Sequence, residues 1–159
     1  MTSTSHTIIL AEDNEDDAFL TIRALESAGI SQPIHHCRDG QAVIEHLAEL
    51  LAEREQSGEG ELPDLLLLDL KMPRLGGMEA LRWIRQHEAF KSLVVVALTS
   101  SSEERDVKAA HELNINAYLV KPSSLSEMID LAKAIRSFWL DQHHLIRPRM
   151  SFPSSVAGS

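Results

Sequence analysis

Leu65, Leu66, Leu67, Leu68 and Asp69 are the stretch on which the reading of this chain turns. Four consecutive aliphatic residues without polar alternation suit a central parallel strand covered on both faces, although a short piece of buried helix shares that pattern. Met72 and Pro73 then stop the strand, and Gly76 and Gly77 allow a tight turn. Ligands of parallel sheets gather at the carboxyl ends of the strands, so Asp69 stands where chemistry is expected.

Working outward, Thr7 to Ala11 reads as a first strand. Asn14 is a fitting N-cap for a helix that ends at Gly29, with Phe19, Ile22 and Leu25 facing inward. Ile34 to Cys37 is a short second strand, and helical spacing returns at Val43, Leu47, Leu50 and Leu51 before fading into the polar loop QSGEGELP. After the Asp64 to Asp69 strand, Met78, Leu81, Trp83 and Ile84 give a helix its apolar side, and Leu93 to Leu98 makes a strand that ends at Thr99. Ser102 can cap the next helix, with Glu103 and Glu104 complementing its dipole and Asn114 permitting a left-handed stop. Ala117 to Val120 is a fifth strand, closed by Lys121 and Pro122. A last helix runs from about Leu125 to Leu140, with Met128, Ala132, Ile135 and Trp139 on one side and Leu131 and Phe138 alongside. Five alternations of strand and helix imply an α/β fold with a parallel sheet between helices and right-handed crossovers.

The bulk properties narrow the function. The 159 residues suit one domain, expected over residues 1–140, with residues 141–159 as an irregular C-terminal extension. A formal net charge of -9 argues against a general nucleic-acid binder, which needs clustered Lys and Arg. The single cysteine, Cys37, is read as a small buried hydrophobe. The start MTSTSHTIIL lacks the features of a signal peptide, and no run approaches a membrane span, so a soluble cytoplasmic protein is expected.

Parallel strands would bring together Glu12 and Asp13 after the first, Asp69 after the third, Thr99 after the fourth and Lys121 after the fifth. Crowded carboxylates repel and raise at least one pKa unless a cation intervenes. Mg²⁺ prefers a few carboxylate oxygens plus waters and leaves positions for phosphate oxygens. In such a site Asp69 would be a phosphoryl acceptor, needing no deprotonation at neutral pH. Lys121 would pair with the carboxylate and then with a phosphate oxygen, and Thr99 would donate a hydrogen bond to the phosphate.

These residues resemble the receiver domains of two-component response regulators. The resemblance covers Thr7 to about Leu140 and rests on Glu12-Asp13-Asn14, LLLLDLKMPRLGG with Asp69, ALTS with Thr99, and AYLVKP with Tyr118, Lys121 and Pro122. It implies a CheY-like, flavodoxin-like, three-layer doubly wound (βα)5 fold with a five-stranded parallel sheet. It also implies a sensor histidine kinase as phosphodonor, and Mg²⁺ held by Asp13, Asp69 and the backbone carbonyl of Lys71, with Glu12 contributing through water. Tyr118 is implied as the aromatic switch that follows Thr99, the Lys121-Pro122 bond as cis, and Lys71 and Ser101 as the positions that tune the acyl phosphate. The protein is then a phosphoacceptor catalysing only its own phosphorylation and dephosphorylation. Too few residues follow Pro122 for a DNA-binding or catalytic output domain, so output is expected through a partner protein, a change of oligomer or onward phosphotransfer.

The helix opening Lys121-Pro122-Ser123-Ser124 and closing Phe138-Trp139, with the polar insert before Leu62, resembles single-domain regulators paired with bacterial phytochrome kinases. Members of that group often dimerise through this end. A homodimer through the last helix and the extension is therefore expected, the alternative for the extension being a disordered tail.

The same residues also admit competing readings. Haloacid-dehalogenase-type phosphatases also use an aspartate after an apolar strand, a later Ser or Thr, and a Lys. They need a second acid two residues after the nucleophile, where Lys71 stands here, and an acidic motif after the Lys, whereas Glu12 and Asp13 precede it. A calcium loop at Glu12 to Asp17 fails, because Ala18 stands where glycine is needed and Ala24 where glutamate is needed. A flavin site fails because EDNEDD would repel phosphate. His35-His36 and His143-His144 read as solvated surface, since strand neighbours point to opposite faces. A long Lys71 side chain beside the acceptor should hinder the attacking water and slow self-dephosphorylation. Lys71→Ala is accordingly expected to shorten the half-life of the phosphorylated form, measured by decay of label.

Overall fold

A computed structural model describes residues 7–58 and 62–141. Its strands are β1 (Ile8–Ala11), β2 (Ile34–Cys37), β3 (Leu65–Leu68), β4 (Val95–Thr99) and β5 (Ala117–Val120). The helices between and after them are α1 (Glu15–Ser27), α2 (Gly40–Ser57), α3 (Gly77–Gln86), α4 (Glu104–Glu112) and α5 (Leu125–Ile135). All strand pairs are parallel, in the spatial order β2-β1-β3-β4-β5. The chain therefore reverses its direction of travel across the sheet between β1 and β3, which is where a doubly wound sheet opens its crevice.

The leucine run explains the layers. Leu65 and Leu67 pack with Ile8, Leu10, Val96 and Leu119 against α1 and α5, through Leu25, Met128, Ala132 and Ile135, and against Trp139 just beyond α5. Leu66 and Leu68 pack with Ile9, Ala11, Val95 and Ala97 against α2, α3 and α4, through Val43, Leu47, Leu81, Ile84 and Ala110. All four leucines are fully buried. A strand buried on both faces has no polar face to alternate, which is why the sequence shows none.

Local signals set the helix ends. Asn14 accepts a hydrogen bond from the Asp17 N–H, and Gly29, with φ +87°, ends the first helical segment in the left-handed region. Asn114 takes the same role after α4, with φ 57°. In the last turn of α3, the Arg85 guanidinium donates to the carbonyls of Phe90, Leu93 and Leu113, which ties this helix to the segments leading into β4 and β5.

The structure corrects several expectations. Phe19 does not face inward but is exposed, because α1 covers the sheet with Ala18, Thr21, Ala24 and Leu25 instead. The N-cap of α4 is Glu103 rather than Ser102, because the backbone stays extended through Glu103 (φ -65°, ψ 135°) and turns helical only at Glu104. The last helix is α-helical only to Ile135, and Arg136–Leu140 continues with wider π-type turns while keeping Trp139 and Leu140 buried. The Lys121-Pro122 bond is trans, an isomer that prolyl bonds adopt at little difference in free energy. His35 and His36 do face opposite ways, yet both find partners: His35 stacks on His46 with ring centroids 3.7 Å apart, and His36 Nε2 donates to the Glu12 carbonyl at 2.7 Å. Cys37 is buried as expected, and burial pushes its thiol up to about 11. His143, His144 and nearly all of the expected extension lie outside the described residues.

Gly77 is where fold and site meet. A Cβ added there would overlap the carbonyl oxygen of Asp69 and lie 2.8 Å from Leu70 Cα, so only glycine lets α3 start this close to the end of β3. Gly77→Ala should destabilise the domain by about 1–3 kcal/mol, the scale of overpacking at a rigid backbone contact, read from the urea unfolding midpoint.

Candidate functional site

Strand register assembles the site. Ala11 pairs with Leu68, and the Asp69 N–H donates to the Ala11 carbonyl at 3.0 Å, so Glu12 and Asp69 emerge side by side. Thr99 pairs with Val120, and the Lys121 N–H donates to the Thr99 carbonyl at 2.8 Å. Residues separated by more than a hundred positions in the chain thus share one edge of the sheet.

The Lys121 ammonium lies 2.5 Å from Glu12 Oε1, 3.1 Å from Asp17 Oδ2 and 3.1 Å from Asp69 Oδ2. Burial alone would lower its pKa, but the hydrogen bonds to Glu12 and Asp17 and the charge of Asp69 outweigh this and hold it above its ordinary value. Glu12 is pulled the other way: burial pushes its carboxyl up, against the lowering effect of Lys121 and of the Asn14 N–H that donates to Oε2 at 3.0 Å. Asp69 is nearly buried, and its Oδ1 accepts from the Lys71 N–H at 3.1 Å.

Carboxylate oxygens of Glu12, Asp13 and Asp69 all lie within 4.8 Å of one another, with Asp13 exposed at the rim. Asp17 brings the acids at this edge to four, three of them on the one ammonium, an excess of negative charge that favours a further cation. A set of hard oxygen donors, partly open to water, fits a divalent ion of the Mg²⁺ or Mn²⁺ type.

Thr99 is fully buried and its Oγ1 accepts from the Ser101 N–H at 3.3 Å. Tyr118 is also buried, and its hydroxyl donates to the Ser101 carbonyl at 2.8 Å; burial raises its pKa. The Lys71 side chain reaches neither Asp69 carboxylate oxygen by an ion pair but turns to α4, with Nζ 3.2 Å from Asp106 Oδ2 and 3.8 Å from Glu103 Oε1. The loop after β3 is anchored a second time at Arg74, which has φ 63° and pairs with Asp39, while the Gly40 N–H donates to the Leu75 carbonyl at 2.7 Å. Asp39 also caps α2 through the Ala42 N–H, and that bond, followed by Arg74, holds its carboxyl below the usual range.

The structure brings together Glu12, Asp13, Asp69 and Lys121, and separately Thr99, Ser101 and Tyr118. Sequence reasoning missed Asp17, Asp106 and the Asp39–Arg74 pair. Asp17 and Asp106 look in the sequence like ordinary first-turn acids of a helix, whose complement to the dipole is explanation enough. Only their tertiary partners distinguish them.

The topology and this acidic strand edge define a doubly wound α/β domain of the CheY type. Residues 8–133 match the response regulator receiver domain model, and the chain belongs to that family. Among similar proteins, the probable methanogenesis regulatory protein FilR2 of Methanothrix harundinacea is 35% identical over 84% of this chain and 83% of its own length. Response regulator Rcp1 of Synechocystis is 37% identical over 84% of this chain and 88% of its own. The crystal structure of the Mn²⁺-bound form of response regulator Rcp1 superposes with a TM-score of 0.72 at 34% identity, covering 90% of this chain and 99% of that one. That of the phosphorylated cyanobacterial phytochrome response regulator RcpA gives 0.75 at 31% identity, covering 91% and 99%. Among the described residues no helix is long and apolar enough to cross a membrane.

If the exposed carboxylate at the rim is a metal ligand, Asp13→Asn should weaken divalent-cation binding by about tenfold, because affinity follows ligand charge. Isothermal titration calorimetry with Mg²⁺ and with Mn²⁺ measures this.

Proposed function

We propose that this protein is a single-domain response regulator in which Asp69 accepts a phosphoryl group from a phosphohistidine of a sensor histidine kinase. The observation that carries the reading is the Asp69 carboxylate itself, nearly buried yet ion-paired through Oδ2 to Lys121 and held through Oδ1 by the Lys71 N–H. In the transfer the bond from phosphorus to the histidine nitrogen breaks, a bond from phosphorus to an Asp69 oxygen forms, and the imidazole leaves neutral or takes up a proton. Lys121 stays charged throughout and shifts its hydrogen bonds towards the phosphoryl oxygens. Thr99 donates its hydroxyl to one of those oxygens, and Tyr118, on the Ser101 carbonyl, reads the new position of the loop after β4.

Asp13, Asp69 and the Lys71 backbone carbonyl would hold Mg²⁺, with Glu12 acting through water. Bound there, the ion would neutralise charge on the transferred group. The chemistry is the protein's own phosphorylation and dephosphorylation rather than turnover of a metabolite.

A protein donor is supported by the surface beside the pocket, where Phe19, Leu20 and Leu125 are large exposed apolar side chains. Asp17, Leu20, Lys121 and Leu125 line one shallow depression there. The likeness to a cyanobacterial phytochrome response regulator supports a phytochrome-type kinase as the donor, with both proteins in the cytoplasm. A homodimer through α5 and residues 141–159 belongs to the same reading, as does an output carried by protein contacts or onward phosphotransfer.

Incubated with Mg²⁺ and a panel of phosphorylated kinases that includes a phytochrome kinase, the wild-type chain should acquire acid-stable, base-labile label, and Asp69→Asn should acquire none. Absence of wild-type labelling from every kinase and small phosphodonor would overturn the assignment.

A further inference from the structure

We infer that Asp106, on the first turn of α4, is a positioning residue that fixes the two side chains flanking the phosphoacceptor, Lys71 and Ser101, and so sets the lifetime of phosphorylated Asp69. The inference rests on the phosphoacceptor role of Asp69 proposed above. One oxygen does both tasks: Asp106 Oδ2 lies 3.2 Å from Lys71 Nζ and accepts the Ser101 hydroxyl at 2.6 Å.

The backbones of those two partners touch the site directly. The Lys71 N–H donates to Asp69 Oδ1, the Ser101 N–H donates to Thr99 Oγ1, and the Ser101 carbonyl accepts from Tyr118. Lys71 belongs to the loop after β3 and Ser101 to the loop after β4, which are neighbouring strands. Asp106 therefore ties together the two loops that bracket Asp69 and Thr99. It is also the anchored end of the ion pair, with its side chain 15% exposed against 51% for Lys71. The second acid near Lys71, Glu103, is farther away and 57% exposed, so it holds the ammonium less firmly.

The reaction affected is hydrolysis of the acyl phosphate. A water oxygen bonds to phosphorus as the phosphorus bond to Asp69 breaks, releasing inorganic phosphate and restoring the carboxylate, and the water gives up a proton to solvent. With Nζ drawn to α4, the Lys71 side chain spans the gap between the two loops and narrows the approach of that water. Cutting the tie at Asp106 leaves Lys71 free to swing away. An acid serving only the α4 dipole would change stability but not this lifetime.

The experiment is the decay of label from full-length phosphorylated protein at fixed Mg²⁺, in wild type, Asp106→Asn, Asp106→Ala, Asp106→Glu, Lys71→Ala and the Asp106→Asn/Lys71→Ala double variant. Asp106→Asn keeps an oxygen for Ser101 while removing the charge, so it guards against loss of folding in the alanine variant. We expect Asp106→Asn to shorten the half-life about threefold, the scale of a half-exposed ion pair, with Asp106→Glu restoring it. In the Lys71→Ala background the Asp106→Asn change should have no further effect. A wild-type half-life in Asp106→Asn, or the same shortening in the presence and absence of Lys71, would overturn the inference. Wild-type protein that takes up no label would instead overturn the role of Asp69, and this inference with it.

Discussion

The Lys121 ammonium and its carboxylates are the interaction on which the rest of the site depends. Glu12 and Asp69 are nearly buried, and two such charges so close together would be costly without a counter-ion. One Lys supplies part of the compensation, and its own burial is tolerated because three carboxylates share it. The balance is incomplete, because Glu12, Asp13, Asp17 and Asp69 outnumber this single ammonium. That shortfall of positive charge is the physical reason the pocket suits a divalent cation.

Everything around this centre limits how the two neighbouring loops can move. The loop after β3 is held by Gly77 against its own backbone, by Arg74 on Asp39, and by Lys71 on Asp106. The loop after β4 is held by Ser101, whose N–H, hydroxyl and carbonyl engage Thr99, Asp106 and Tyr118 respectively. A hydroxyl displaced by phosphate at Thr99 would therefore disturb a connected set of bonds rather than one side chain. In proteins with bistable elements, connected bonds of this kind turn a local electrostatic event into a change of surface. Membership of the receiver family agrees with such a device.

Most of the fold was legible because it rests on short-range rules. Leu65 to Leu68 announced a strand buried on both sides, and Asn14, Gly29 and Asn114 marked helix ends through caps and left-handed turns that need no distant partner. Phe19 misled because periodicity identifies an apolar residue without saying which arc of the helix meets the sheet. Ser102 misled for a related reason: residue type marks a possible cap, but the backbone stays extended one residue further, through Glu103, before α4 begins.

The sequence alone determined the alternation of strands and helices, and with it the convergence of Glu12, Asp13, Asp69, Thr99 and Lys121 on one edge, since parallel strands with helical crossovers leave all their carboxyl ends on the same side. It could not determine which additional charges would complete the site. Asp106 joins Lys71 because β3 and β4 are neighbours in the sheet, Asp17 joins Lys121 because α1 and α5 pack on one face, and Asp39 joins Arg74 because α2 and α3 pack on the other. Ion pairs depend on distance in space, and an acid's position along the chain carries no trace of it until the sheet is assembled.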